Sequence, residues 1–158
     1  MARGWLTGVA AVLLGGAIGL GAFTFVYARG YSYLTTDPEA CANCHIMDEH
    51  FAAWLKSSHR AAATCNDCHT PHDPVGKWAT KARNGFWHSF YFTTGNFPDP
   101  LRITERNREI TGEACRYCHA RLTDSITPAH DPAAGEAELA RDELACTHCH
   151  RYVGHWVR

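Results

Sequence analysis

The run CANCHIMDEHFAAWLKSSH, residues 41–59, places Cys41 and Cys44 three positions apart with His45 directly behind them. The same arrangement recurs as CNDCH (Cys65, Cys68, His69), CRYCH (Cys115, Cys118, His119) and CTHCH (Cys146, Cys149, His150), and together the four copies use all 8 cysteines of the chain. Two thiols at this spacing reach the two vinyl groups of one haem, and the adjacent histidine meets the iron. A disulfide framework would need no histidine after each pair, and structural zinc sites built from two such pairs would leave the histidines surplus. The cysteines therefore predict four covalently bound haem c groups.

That prediction decides the fold class. Residues 30–158 offer only about 30 residues per haem, too few for each to carry its own apolar core. The porphyrins themselves must supply it, wrapped by short helices and long loops. The expected fold is mainly α with much irregular chain: one N-terminal transmembrane helix (1–29) followed by a small haem-packed multihaem cytochrome c domain (30–158). The motifs begin at 41, 65, 115 and 146, which suggests two dihaem units, 41–69 and 115–150. Local patterns predict a helix over 48–60 with Asp48 as N-cap, another entered through Pro74 and running through VGKWATKARNGFWHSFYF, a turn or two at 104–110, and an exposed helix at 133–144. TTGNFPDP, 93–100, reads as a loop.

From Gly4 to Ala28 the chain carries no charge, and about 20 such residues suffice for a helix to cross a bilayer. The run is long for a signal-peptide core and has a thin charged leader, so it reads as an uncleaved anchor. Phe23, Phe25 and Tyr27 close it with aromatics suited to a membrane interface. Covalent haem attachment takes place outside the cytoplasmic membrane, so a single pass with a periplasmic haem domain is expected. Gly15 and Gly19 form a GxxxG through which two anchors could dimerise. The net charge of −1 selects no partner class, and no nucleic acid is expected.

Seven of the 11 histidines lie outside the motif position, a supply of second axial ligands. His148 sits inside a motif and is poorly placed to reach an iron; His50 and His72 have no strong claim, and His130 is a reserve candidate. On the helix after Pro74, Lys77, Lys81, Asn84 and His88 form one polar stripe among Trp78, Phe86, Trp87, Phe90 and Tyr91. Such a surface suits a quinol, which needs an apolar slot for its ring and polar groups to take protons as electrons leave. A helix resting on the membrane with snorkelling lysines would look the same.

An anchor followed by four CxxCH motifs, the first extended to CxxCHxM, resembles the NapC/NirT family of membrane tetrahaem quinol dehydrogenases, over essentially the whole chain. The short length and CNDCHTPH look most like its nitrite-reductase branch. The resemblance implies that Met47 rather than His45 binds the first haem, a soft thioether that raises the potential. It implies His69, His119 and His150 as motif ligands, and His59 and His155 as second ligands. It leaves haem 2 without a sixth ligand from this chain, one that the catalytic partner would supply as a lysine. Lys81 matches a quinol-site lysine of the family, whereas His88 stands where close relatives carry an aspartate, as a proton acceptor or as a ligand of haem 1. The implied function is menaquinol oxidation with electrons passed to a periplasmic multihaem nitrite reductase. The alternatives are service to another periplasmic oxidoreductase (nitrate, trimethylamine oxide or hydroxylamine), or a passive relay lacking a quinol site.

Overall fold

The computed structural model describes residues 2–126 and 145–156. The helix expected at 133–144, His130, and half of the second dihaem unit (127–144) lie outside them. Helix α1 spans Ala2–Tyr27. Its Gly4–Tyr27 segment has mean hydropathy 2.2, long and apolar enough to cross a membrane. Arg29, in the left-handed region at φ 51, turns the chain into a short 3₁₀ turn at Gly30–Leu34. Asn43 ties the first motif to this bend: its amide donates to the Ala28 carbonyl at 3.3 Å, and Arg29 donates to its Oδ1 at 3.5 Å. The first haem-binding motif is thus held at the end of the anchor by a residue between its own cysteines.

Two longer helices, α5 (Pro74–Thr94) and α6 (Glu105–Cys118), stand among short ones: α2 (Pro38–Cys41), α3 (Asp48–Leu55), α4 (Cys65–His69), α7 (Ala120–Ile126) and α8 (Cys146–Cys149). No strand occurs among the described residues. The proline entrance to α5 is as expected: Asp73 is the N-cap and its carboxylate accepts from the Gly76 amide at 2.7 Å. Gly95, at φ 69, ends the helix in the left-handed conformation that favours glycine. Three expectations shift. Helix α3 stops at Leu55 instead of 60, because the chain tightens into turns there, with the Lys56 and Ser57 amides bonding Ala53 and Trp54. Asp48 lies in its first turn, and Met47 holds the cap position with no side-chain bond. The turn expected at 104–110 continues as α6 through the third motif.

Helix α4 packs on α6, and α6 on α8, so the second, third and fourth motifs form one connected block. Within the described residues the only buried apolar side chains are Ile110 and Ala114, both on α6. The described residues make almost no apolar core of their own, as expected of a fold organised around porphyrins.

Helix α4 is short enough to need its cap. The Thr64 amide and hydroxyl both donate to Asp67 at 2.7 Å, a capping box built into CNDCH. Burial acts to raise the Asp67 pKa, but the Thr64 bonds outweigh it and the net shift is downward. Its folded pKa lies below its unfolded value. The stability it contributes is therefore present above the unfolded carboxylate range and lost as pH falls through the folded value. Asp67→Asn is expected to cost about 1 kcal/mol at neutral pH and to flatten the acid limb of stability, both measurable by guanidinium unfolding of the haem-loaded protein between pH 7 and pH 3.

Candidate quinol and haem sites

Three of the four motifs share one local structure. CNDCH is helix α4 itself; CRYCH ends α6 with His119 at its C-cap; CTHCH is α8 with His150 at its C-cap. A helical turn sets cysteines i and i+3 on one face, with the histidine at the end of the same turn. The first motif departs from this pattern. Cys41 ends α2, Cys44 is extended at φ −98 and ψ 119, and His45–Met47 form a separate 3₁₀ turn closed by the Met47 amide on the Cys44 carbonyl at 2.8 Å. His45 is exposed and lines a cleft of about 340 Å³ at the anchor's end with Tyr27, Arg29 and Phe92, whereas Met47 is half-buried and takes no part in that cleft.

None of the eight cysteine sulfurs is in a disulfide. Those of Cys41 and Cys65 lie within hydrogen-bonding reach of each other, as do those of Cys115 and Cys146. The first motif therefore abuts the second, and the third abuts the fourth, with the α4–α6 contact between the two pairs.

The histidines pair across long stretches of sequence. The rings of His59 and His119 have centroids 6.1 Å apart; those of His69 and His155 are 5.9 Å apart and nearly parallel, at 5°. Two imidazoles bound at about 2 Å on opposite sides of one iron hold their centroids about 6 Å apart. Both pairs fit that spacing. His50 also meets His155, but at 4.8 Å, too close for such a pair. Burial first, then His155, His50 and His88, push His69 down to about 4, keeping it in the neutral form that binds metal. His72 stacks on Tyr117 at 4.0 Å, a packing role. Among the described residues His150 has no ring partner. Unbridged cysteines two to a turn, imidazole pairs at iron-spanning distance and described residues with almost no apolar core of their own fit covalently held haem.

The polar stripe of α5 divides on folding. Asn84 and Asn107 exchange amide hydrogen bonds at 3.3 and 3.4 Å, joining α5 to α6. Lys81 is only 6% exposed; its Nζ donates to the Thr35 carbonyl and lies 5.3 Å from the Trp78 ring centroid. It is a buried ammonium, not a snorkelling lysine. Burial, then Lys77, lower its pKa, and Cys41 is near enough to oppose the shift. His88 shares a 2.8 Å hydrogen bond with the Tyr33 hydroxyl, and burial lowers its pKa. Burial raises the Tyr33 phenol above its usual range, and Tyr33 lies near Cys44 and Cys41. Lys81, Tyr33 and His88 thus gather beside the first motif. Trp78, Phe86 and Phe90 are exposed on α5, and Trp87 stacks on Tyr91 at 5.3 Å. Sequence reasoning identified Lys81 and His88 but missed Tyr33, which lies 55 residues from its partner and within no motif.

The model of the NapC/NirT cytochrome c family, N-terminal region, matches residues 3–158. The cytochrome c-type protein NrfH of Wolinella succinogenes is 37% identical over 144 residues, covering 88% of this chain and 81% of that protein. The nitrite reductase subunit NrfH of Nitratidesulfovibrio vulgaris is 32% identical, covering 91% and 82%. Among solved structures, a cytochrome c nitrite reductase NrfHA complex bound to the HQNO inhibitor aligns over 92% of this chain and 90% of its own at TM-score 0.60 and 29% identity. The chain therefore belongs to the NapC/NirT family of cytochromes c, as a membrane-anchored member.

Proposed function

We propose that this protein oxidises menaquinol at the periplasmic face of the cytoplasmic membrane and delivers the electrons to a multihaem nitrite reductase. The observation that carries this reading is the cluster of Lys81, His88 and Tyr33 beside Cys41 and Cys44, at the foot of the anchor. A quinol dissolved in the bilayer would reach this motif before the others. The relatives named NrfH and the NrfHA complex support the nitrite reductase partner, and the HQNO inhibitor bound in that complex supports a small-molecule site of this kind. Haem c, when bound, supplies one-electron transfer. The chain's part is to hold four such groups in line, to bind the quinol oxygens through the Lys81 ammonium, and to take a proton at His88. Residues 1–29 would serve as the anchor and 30–158 as the haem domain.

We propose that Met47 would hold haem 1, His69 with His155 haem 2, His119 with His59 haem 3, and His150 haem 4. This changes one expectation. The parallel His69–His155 rings support a second imidazole at haem 2, so a ligand from the partner is better placed at haem 4. Accordingly His155→Ala is expected to turn one of the four ferric haems from low-spin to high-spin in the electron paramagnetic resonance spectrum, while His50→Ala leaves the spectrum unchanged.

The functional reading is tested on protein extracted in mild detergent with its bound subunit, supplied with a reduced menaquinone analogue. Nitrite is expected to disappear, and to stop disappearing when the subunits are separated. Haems that stay oxidised would remove the quinol donor; haems that become reduced while nitrite persists would remove the nitrite partner.

A further inference from the structure

The Tyr33–His88 bond joins two elements that the local sequence leaves independent. Tyr33 sits in the 3₁₀ turn Gly30–Leu34 directly after the anchor, and its ring lies flat against α5 at Gly85, where a Cβ would come within 3.3 Å of it. A Cβ there would press this ring back by a few tenths of an ångström, one turn before His88. The phenol then reaches His88 Nδ1 at 2.8 Å, with ring centroids 6.1 Å apart. Burial raises the Tyr33 pKa, which keeps the hydroxyl protonated. A hydroxyl serves both protonation states of the imidazole. In the tautomer that carries the hydrogen on Nδ1, the phenol oxygen accepts from Nδ1–H in the neutral ring and again once the ring is charged. With Nδ1–H so engaged, Nε2 of the neutral ring is bare and is the nitrogen that can take a proton.

Resting on the quinol-site reading above, we propose that Tyr33 is a positioning residue for quinol oxidation, holding His88 so that Nε2 receives a quinol hydroxyl proton. The quinol O–H bond breaks and the Nε2–H bond forms. The two electrons of the quinol leave to the haem chain, its second proton leaves to water, and His88, exposed at its outer edge, returns its own proton to solvent. The phenol oxygen accepts Nδ1–H throughout the charged stage, offsetting the burial that disfavours the imidazolium.

The test uses the full haem-loaded chain with its partner subunit in detergent, a reduced menaquinone analogue as donor, and haem reduction followed by absorbance. Tyr33→Phe keeps the ring on Gly85 and removes only the hydroxyl. It is expected to lower kcat about tenfold, the scale of a lost orienting bond, with KM changed less than about twofold. In a His88→Ala background the same substitution is expected to have no further effect. An equal loss in both backgrounds would make Tyr33 a packing residue and overturn the proposal. So would a changed ferric haem spectrum in His88→Ala, which would put the imidazole on iron. Wild-type rates for both Lys81→Ala and His88→Ala would instead overturn the quinol site itself, a failure distinct from wild-type rates in Tyr33→Phe alone.

Discussion

Met47→Leu is expected to lower the potential of the first haem by about 100 mV or more, because a thioether ligand favours the ferrous state and an imidazole or water in its place does not. At 59 mV per decade for one electron, that is a loss of about fifty-fold in the equilibrium for accepting an electron from quinol. Turnover with a menaquinol analogue should fall by the same order. His45→Leu should leave both the potential and the rate within about a factor of two, because His45 is exposed in the cleft beside Tyr27, Arg29 and Phe92 and is separated by the extended Cys44 from the helical turn that aims the other motif histidines. A spectroelectrochemical titration of both variants decides the matter, with four covalent haems in each verified by intact mass. A drop in potential confined to His45→Leu would return the ligand role to the motif histidine.

The second large effect is expected at Lys81. Removing one preorganised donor from the oxygen of a reacting group costs about 100- to 1,000-fold in rate, and Lys81→Ala should slow quinol oxidation by that much. Lys81 also has a structural claim: it is nearly buried, bonds the Thr35 carbonyl and lies beside Trp78. Lys81→Met separates the two roles, since it keeps the buried stem and removes the ammonium. If the charge binds quinol, Lys81→Met loses as much rate as Lys81→Ala while thermal unfolding stays near wild type. If Lys81 only fastens α5 to the segment after the anchor, Lys81→Met unfolds earlier and keeps its rate once folded. Dithionite reduction of the haems should be normal in every variant, because that reductant bypasses the quinol.

Much of this protein is legible as local pattern. Four CxxCH motifs and a long uncharged apolar run are short-range signals, each with a single strong physical reading, and they determined the haem-packed, anchored architecture. Pro74 and Gly95 bracket α5 because φ is restricted at one and free at the other. The ends of α3 and α6 depart from the local pattern: α3 closes in i−3 turns at Lys56 and Ser57, and α6 runs on into the third motif. The stripe on α5 was read as one surface, yet one member, Asn84, turned out to bond α6. Helical spacing shows which side chains share a face, but not what that face meets.

What the sequence by itself determined is therefore the number of haem-binding motifs, the anchor, and the residue types able to serve as ligands or proton acceptors. Only the tertiary structure decided the pairings: His59 with His119, His69 with His155, and Tyr33 with His88. Each closes a loop of more than 50 residues. The entropy of closing such loops varies only slowly with their length, so spacing cannot rank one histidine partner over another. The choice falls to the packing of α4 on α6 and of the post-anchor turn on α5, contacts that exist only once the whole chain has assembled.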